Sequence, residues 1–174
     1  MKKVLVVIDV QNDFISGSLG SVEAQKKIEN IVKKIESKAW DCIIVTQDTH
    51  DESYLETKEG QKLPVKHCIR KNLGWEIEPR VYKALNNFDG EVIYIEKPTF
   101  GSMEVPYMLK QEEMEIEVVG FCTDICVISN VLLLKAAFYD VADIIVDSEC
   151  CAGVTIEKHL AALEVMRSCQ IEIK

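Results

Sequence analysis

Short apolar runs alternate along this chain with longer segments in which apolar residues recur at helical spacing. Val4–Ile8 is a continuous, mostly β-branched run, which is typical of a strand buried on both faces of a parallel sheet. The runs that predict strands are Val4–Ile8, Cys42–Thr46, Val92–Ile95, Ile116–Val119, Ala142–Val146 and Gln170–Ile173.

Helical spacing separates most of these runs. Ile28, Ile31 and Ile35, for example, fall on one face of a helix. The segments that predict helices are Val22–Ala39, Val81–Phe88, Val105–Lys110, Thr123–Phe138 and Thr155–Cys169. Because strands alternating with helices form parallel sheets with helices on both faces, the sequence predicts a three-layer α/β/α sandwich on a six-stranded, mainly parallel sheet.

Residues 47–80 break this rhythm and show little periodicity. A loop of that length inside a compact domain is usually functional. No internal repeat or linker interrupts the rest of the sequence, so we expect residues 1–174 to form one domain.

Composition narrows the class of protein. The chain is 48% hydrophobic and 28% charged, as in ordinary soluble proteins. Its net charge of −9 argues against nucleic acid or an anionic membrane as a partner. No stretch approaches the roughly 18 apolar residues of a membrane span, and seven cysteines without a recognisable secretory signal favour a reducing, cytoplasmic location.

Three reactive side chains follow strands or begin a helix. Asp9 and Lys97 come just after two predicted strands, and Cys126 lies in the first turn of a predicted helix, where the helix dipole favours a thiolate. The carboxyl ends of parallel strands open onto one crevice. A carboxylate can accept the thiol proton there, and an ammonium can stabilise the thiolate. The alternative is an ordinary ion pair beside a buried cysteine.

A second group of polar residues indicates a metal site. Asp48 and His50 follow the second strand and, two residues apart in an extended segment, point the same way. His67 can return from the long loop to complete a three-ligand site with open positions. Such pairs also occur by chance in surface loops. We expect His159, in the last helix, to be an ordinary helix residue.

Several large apolar side chains lie near strand ends and can stack on a planar ligand or cover the edge of the core. They are Phe14, Leu63, Trp75 and Phe100.

Three segments resemble the isochorismatase-like cysteine hydrolases, and within them the nicotinamidase/pyrazinamidase branch. Val7–Phe14 is similar to the opening strand and acid of that family, and Gly120–Val127 to its nucleophile turn, Gly-x-x-Thr-Asp-x-Cys-Val. Asp147–Thr155 resembles the stretch that follows the fifth strand. The likeness covers essentially the whole chain.

The resemblance implies roles for the residues that match. Cys126 is then the nucleophile, Asp9 the general base and Lys97 the third member of the triad. The backbone N–H groups of Cys122 and Cys126 form an oxyanion hole, and the peptide bond between Phe121 and Cys122 is cis.

The resemblance also implies a cofactor and a substrate site. Asp48, His50 and His67 match the metal ligands of nicotinamidases, so a divalent metal is expected, with zinc favoured over iron or manganese. Phe14, Leu63 and Phe100 are the expected substrate contacts. The family often forms dimers or tetramers, which implies a homo-oligomer.

The expected activity is hydrolysis of a small carboxamide, similar to nicotinamide, to the acid and ammonia through a cysteine thioester. Leu63 replaces the tryptophan that nicotinamidases usually carry, and the further loop histidine of some members is absent. One alternative is a metal-free isochorismatase-like or carbamoyl-amide hydrolase. Another is a thiol redox-sensing or ligand-binding module, for which Cys122 with Cys126 and the adjacent Cys150 and Cys151 supply the thiols.

Overall fold

A six-stranded sheet runs through the computed structural model, which describes residues 1–37 and 39–174. The strands are β1 (Lys2–Ile8), β2 (Cys42–Asp48), β3 (Glu91–Lys97), β4 (Met114–Phe121), β5 (Ala142–Ala152) and β6 (Glu172–Ile173). Their order is β3-β2-β1-β4-β5-β6, and each of the described strand pairings is parallel.

Helices cover both faces of this sheet, so the predicted three-layer sandwich is confirmed. They are α1 (Asn12–Ile15), α2 (Val22–Glu36), α3 (Lys58–Lys62), α4 (Pro79–Asn86), α5 (Glu104–Tyr107), α6 (Ile128–Ala137) and α7 (Ile156–Ser168). One core cluster joins β1 and β2 to α2 and α4, and the other joins the opposite face to α5, α6 and α7. No helix among the described residues has the length and apolar character needed to cross a membrane.

β1 lies in the middle of the sheet, and its side chains alternate between the two cores. Leu5 and Val7 pack toward α2 and α4, while Val4, Val6 and Ile8 pack toward the other layer. All five are fully buried, and complete burial of such a side chain stabilises the fold by roughly 1.5–3 kcal/mol. The two buried faces explain why the strand has no polar alternation.

Several predicted helix boundaries were wrong. α2 ends at Glu36 instead of Ala39, because the side chains of Ser37 and Trp40 donate hydrogen bonds to the carbonyl of Lys34 and close its last turn. Lys38, inside the predicted helix, lies outside the described residues. α4 begins at Pro79, a residue suited to a first helical position.

Other helices are shorter or divided. The helix predicted over Thr123–Phe138 begins with a π-helical turn, Thr123–Val127, and only then continues as α6. α5 is a single turn, and α7 starts after Thr155, whose side chain caps it by accepting a hydrogen bond from Lys158 N. The long loop contains α3 and a 3-10 turn, Tyr54–Glu56.

The strands also extend beyond their predicted ends, except β6, which is confined to two residues. Asp48 and Lys97 pair with each other in register, so they end β2 and β3 instead of following them. β5 runs to Ala152 instead of Val146, because a register shift next to Gly120 lets the strand continue beside β4. The segment expected after the fifth strand therefore lies largely inside it.

Candidate active site

Asp9, Lys97 and Cys126, together called the catalytic cluster, meet at the carboxyl edge of the sheet. Lys97 Nζ lies 2.6 Å from Asp9 Oδ2 and 3.6 Å from Cys126 Sγ. It also donates a hydrogen bond to the carbonyl of Thr99. The structure thus brings together the three residues that the sequence singled out, and all three are buried.

Asp9 is fixed at the end of β1 by a neighbouring strand. Its φ of 48° is a left-handed conformation, which aspartate tolerates better than most residues. The Thr46 hydroxyl donates to Asp9 Oδ1 over 2.6 Å. Burial raises the pKa of Asp9 above its ordinary value, although the charge of Lys97 opposes this shift. A carboxylate of raised basicity suits proton transfer from a thiol.

Cys126 lies in the π-helical turn Thr123–Val127, which we call the nucleophile turn. Burial, with the nearby charge of Asp9, raises the pKa of Cys126 well above its ordinary value, and Lys97 only partly opposes this effect. Burial therefore outweighs any stabilisation of the thiolate by its position near a helix N-terminus. Desolvation of the buried sulfur is the largest effect and disfavours the thiolate.

The strand that leads into this turn passes very close to β1. Gly120 has a φ of 122°, and a Cβ atom there would lie 2.0 Å from the carbonyl oxygen of Ile8, so only glycine fits. The peptide bond between Phe121 and Cys122 is cis, as the resemblance implied.

Asn130 in α6, which the sequence analysis missed, holds the far side of the nucleophile turn. Its Nδ2 donates to the carbonyls of Cys126 and Phe100, and its Oδ1 accepts from Ser102 N. The signal in the sequence was a buried amide within an otherwise apolar helical segment.

Asp48, His50 and His67 converge beside the catalytic cluster, with ligand atoms within 4.8 Å of one another. Asp48 Oδ2 lies 3.0 Å from His50 Nε2 and 3.3 Å from His67 Nε2. Bonds of about 2.0–2.1 Å in a tetrahedral zinc site place donor atoms roughly 3.3 Å apart. The separation of these atoms therefore fits a metal site.

The surroundings of these donors fit a metal as well. His67 Nδ1 donates to the carbonyl of Val65, which directs Nε2 toward Asp48. Burial alone would raise the pKa of Asp48, but hydrogen bonds from the two histidines and the charge of Lys97 lower it. Asp48 Oδ1 is buried and has no hydrogen-bond partner among the described residues, an arrangement that a cation would satisfy.

Glu59, on α3, adds a second carboxylate that the sequence analysis missed. Its Oε1 lies 3.6 Å from His50 Nε2 and 3.9 Å from His67 Nε2. The buried ring of Tyr54 packs against both histidines, with centroids 4.6 and 4.9 Å away. The sequence offers four acidic residues between the two histidines, and nothing in the local pattern singles out Glu59 among them.

Gln11 was also missed, although it lies within the opening motif. Its side-chain amide nitrogen, Nε2, donates to the carbonyls of Asp48 and Trp75, and its Oε1 accepts from Asp48 N. It therefore fixes the backbone of a candidate metal ligand.

A cavity of about 380 Å³ joins the two groups of residues. Phe14, Leu63 and Phe100 line it, as expected of substrate contacts, and so do Cys122 and Cys126. Its other lining residues include the candidate metal ligands Asp48 and His67, together with Glu59 and Lys158.

Two other candidate residues lie outside the cavity. Trp75 packs against the edge of one core cluster, which is one of the two alternatives that the sequence left open. It faces a separate groove with Gln47 and Tyr94, and its indole N–H donates to Thr49 Oγ1. His159 is not an ordinary helix residue, because its Nδ1 lies 2.8 Å from Thr123 Oγ1 in the nucleophile turn.

The chain is similar to proteins of one family over almost its whole length. A family model described as "Isochorismatase domain" matches residues 3–173. A curated relative, the uncharacterized isochorismatase family protein PncA of Bacillus subtilis, is 28% identical over 175 residues, which cover 94% of this chain and 93% of that protein.

Solved structures agree with this match. The nicotinamidase/pyrazinamidase PncA from Bacillus subtilis has a TM-score of 0.82 and 25% identity, with 99% of each chain covered. Two structures share the fold at lower identity. The pyrazinamidase of Pyrococcus horikoshii in complex with zinc has a TM-score of 0.73 and 22% identity, covering 100% of this chain and 99% of that one. The yeast nicotinamidase Pnc1p bound to nicotinaldehyde has a TM-score of 0.79 and 17% identity, covering 98% of each. The chain therefore belongs to the isochorismatase family.

Proposed function

We propose that this protein is an amidohydrolase that converts a small planar carboxamide to the acid and ammonia through a thioester on Cys126. The observation that carries the proposal is the catalytic cluster, in which Lys97 lies next to Asp9 and Cys126, and Cys126 lines a cavity with aromatic side chains. Isochorismatase-family relatives named nicotinamidases support this chemistry.

The residues of the catalytic cluster divide the chemistry between them. Asp9 takes the thiol proton as Cys126 Sγ attacks the carbonyl carbon, and Lys97 keeps the carboxylate in place. The N–H groups of Cys122 and Cys126 stabilise the oxyanion, and loss of one such donor typically costs about 2.7–4 kcal/mol of barrier. Asp9 then gives its proton to departing ammonia, and later activates the water that hydrolyses the thioester.

A divalent metal would be held by Asp48, His50 and His67, with Glu59 as a further ligand. Zinc is favoured over iron or manganese because the donors are two imidazoles and carboxylate oxygens, and because a relative is described in complex with zinc. When bound, the metal supplies a Lewis-acid site for a ring nitrogen or a water molecule. These residues orient the substrate beside Cys126.

Leu63 supports a substrate preference that differs from that of typical nicotinamidases. It lines the cavity in the place where the resemblance leads us to expect a tryptophan. An aliphatic side chain removes one stacking surface for a pyridine ring, so the site accepts carboxamides of other shapes.

The test is ammonia release by the purified protein from nicotinamide, pyrazinamide and a carbamoyl amide, with and without a chelator. Turnover that the chelator abolishes and added zinc restores supports the full proposal. Turnover of the carbamoyl amide alone, insensitive to the chelator, would support a metal-free hydrolase. Reversible thiol oxidation with no turnover of any amide would support a redox module and contradict the proposal.

A further inference from the structure

We propose that His159 is a positioning residue for the nucleophile turn. Its hydrogen bond to Thr123 orients the backbone N–H groups on either side of that residue, those of Cys122 and Cys126. The proposal rests on the proposed amide hydrolysis, because it concerns how the oxyanion donors of that reaction are held.

The hydrogen bond joins two elements that are distant in the sequence. Thr123 is fully buried in the nucleophile turn, and its Oγ1 lies 2.8 Å from Nδ1 of His159 on α7. Burial, together with the positive charge of Lys27, lowers the pKa of His159 and favours a neutral imidazole that can accept or donate at Nδ1.

Two further contacts join the nucleophile turn to the start of α7 and the residues just before it. Asp124 Oδ1 accepts a hydrogen bond from Val154 N over 2.9 Å, just before α7. A Cβ atom on Gly153 would lie 2.7 Å from Asp124 Oδ1 and 2.9 Å from His159 Cβ. The turn and the start of α7 are therefore in close contact, and a change at His159 acts directly on the turn.

The nucleophile turn needs such support because of its own geometry. Two of its amides, Ile125 N and Val127 N, donate to the single carbonyl of Cys122 over 3.0 and 3.1 Å. π-helical turns are rare and are usually stabilised by their surroundings. Asn130 holds the C-terminal side of the turn through the carbonyl of Cys126, and His159 holds the N-terminal side through Thr123.

Four variants separate positioning from general stability. Thr123→Val and His159→Leu each remove the hydrogen bond, whereas His159→Asn retains a polar atom near the position of Nδ1. The matched control is Met166→Ala, which removes a buried side chain about two turns further along α7. It lowers Tm and leaves the hydrogen bond between His159 and Thr123 in place.

With nicotinamide as substrate, we expect Thr123→Val and His159→Leu to lower kcat roughly tenfold or more. Complete removal of one oxyanion donor lowers kcat about 100- to 1,000-fold, and a misplaced donor should cause part of that loss. KM changes little, because the ground-state contacts remain. His159→Asn recovers most of the activity, and the double variant is no worse than the more impaired single variant. Met166→Ala keeps its kcat.

Nicotinaldehyde supplies a readout that does not need turnover. Its adduct with Cys126 places an oxyanion against the same N–H groups, so its affinity falls in parallel with kcat, whereas the affinity of nicotinic acid is unchanged. Equal loss in Met166→Ala, additive losses in the double variant, or a His159→Asn protein as impaired as His159→Leu would overturn the proposal. If the wild type hydrolyses no amide, the proposed function fails, and the aldehyde measurement still tests the role of His159.

Discussion

Two clusters in this protein contain the same three kinds of side chain, a cysteine, an aspartate and a lysine. One is the catalytic cluster. The other, which we call the α2 cluster, consists of Lys34, Asp147 and Cys150. Asp147 Oδ2 lies 2.5 Å from Lys34 Nζ and 3.5 Å from Cys150 Sγ. In both clusters, carboxylates raise the pKa of the lysine despite the opposing effect of its burial. Composition alone therefore does not distinguish them.

The clusters differ in how completely their polar atoms are paired. In the α2 cluster, Asp147 Oδ1 accepts a hydrogen bond from Glu149 N. Lys34 forms a second ion pair with Glu117, and Glu117 is also paired with Lys174. In the catalytic cluster, Asp9 Oδ2 is close to Lys97 but has no hydrogen bond of good geometry among the described residues. A carboxylate oxygen without a directional partner remains available for a thiol proton.

The clusters differ also in the backbone around the sulfur. Cys150 lies inside β5, where burial and Asp147 raise its pKa to about 12. Cys126 lies in a turn at the end of a strand, beside the cavity and next to candidate oxyanion donors. The comparison teaches that the turn and the cavity, more than the three side chains, distinguish the proposed nucleophile from Cys150.

The largest expected effect separates the two cysteines. Cys126→Ala should lower ammonia release from nicotinamide by at least about a thousandfold, because loss of a covalent nucleophile removes the main reaction path. Cys150→Ala is the matched control, with kcat close to that of the wild type. Similar losses in both variants would remove the distinction between the clusters.

The two aspartates should differ next. Asp9→Asn is expected to lower kcat roughly 100- to 10,000-fold, the usual range for a general base. Asp147→Asn should lower Tm and leave kcat nearly unchanged. Steady-state kinetics and thermal unfolding of the same two proteins check this, and an Asp147→Asn protein with impaired kcat but normal Tm would contradict it.

The α2 cluster also predicts a dependence of stability on pH. Burial alone would raise the pKa of Asp147, but the hydrogen bond and charge of Lys34 lower it. Because the folded pKa lies below the unfolded value of about 3.9, this pair stabilises the protein above about pH 4, and its contribution is lost as the pH falls through the folded pKa. The difference in Tm between wild type and Asp147→Asn should therefore shrink toward acid pH. A difference that stays constant would contradict the pairing.

A third effect concerns the metal ligands beside the catalytic cluster. His67→Ala should eliminate bound zinc, measured by elemental analysis after dialysis, and lower kcat/KM by about 100-fold or more. Glu59→Gln should weaken zinc binding about 10- to 100-fold, an effect comparable to that of removing an outer-shell partner. Full activity in a zinc-free His67→Ala protein would point to the metal-free alternative.

The smallest effect is on substrate preference. Leu63→Trp should lower KM for nicotinamide, since an added aromatic contact is worth about 0.5–1.5 kcal/mol, or roughly two- to tenfold. Leu73→Trp is the control, because Leu73 is highly exposed and does not line the cavity. An unchanged KM in the Leu63→Trp protein would mean that the side chain at position 63 does not contact the pyridine ring of the substrate.

Much of the fold could be predicted because buried parallel strands appear as continuous apolar runs. The ends of the strands could not, since Asp48 and Lys97 remain in the sheet only through their pairing with each other. Asp9, Lys97 and Cys126 could be brought together from sequence because each lies at or soon after the carboxyl end of a predicted strand.

The missed residues act through tertiary contacts. His159 contacts Thr123 and Gln11 contacts Asp48 across 36 and 37 positions of the chain, and no local pattern reports such pairs. The raised pKa of Cys126 could not be predicted for a similar reason. Helix position is visible in the sequence, whereas the desolvation that outweighs it depends on the packing of several elements.

The central claim is that Cys126, and no other cysteine, carries the acyl group. Its most direct test is rapid acid quenching of the wild-type protein during turnover of nicotinamide, followed by mass spectrometry of the intact protein and of its peptides. The account predicts a mass increase equal to the nicotinoyl group, confined to the peptide that contains Cys126. Turnover with no adduct at Cys126, or with the adduct on Cys150, would contradict it.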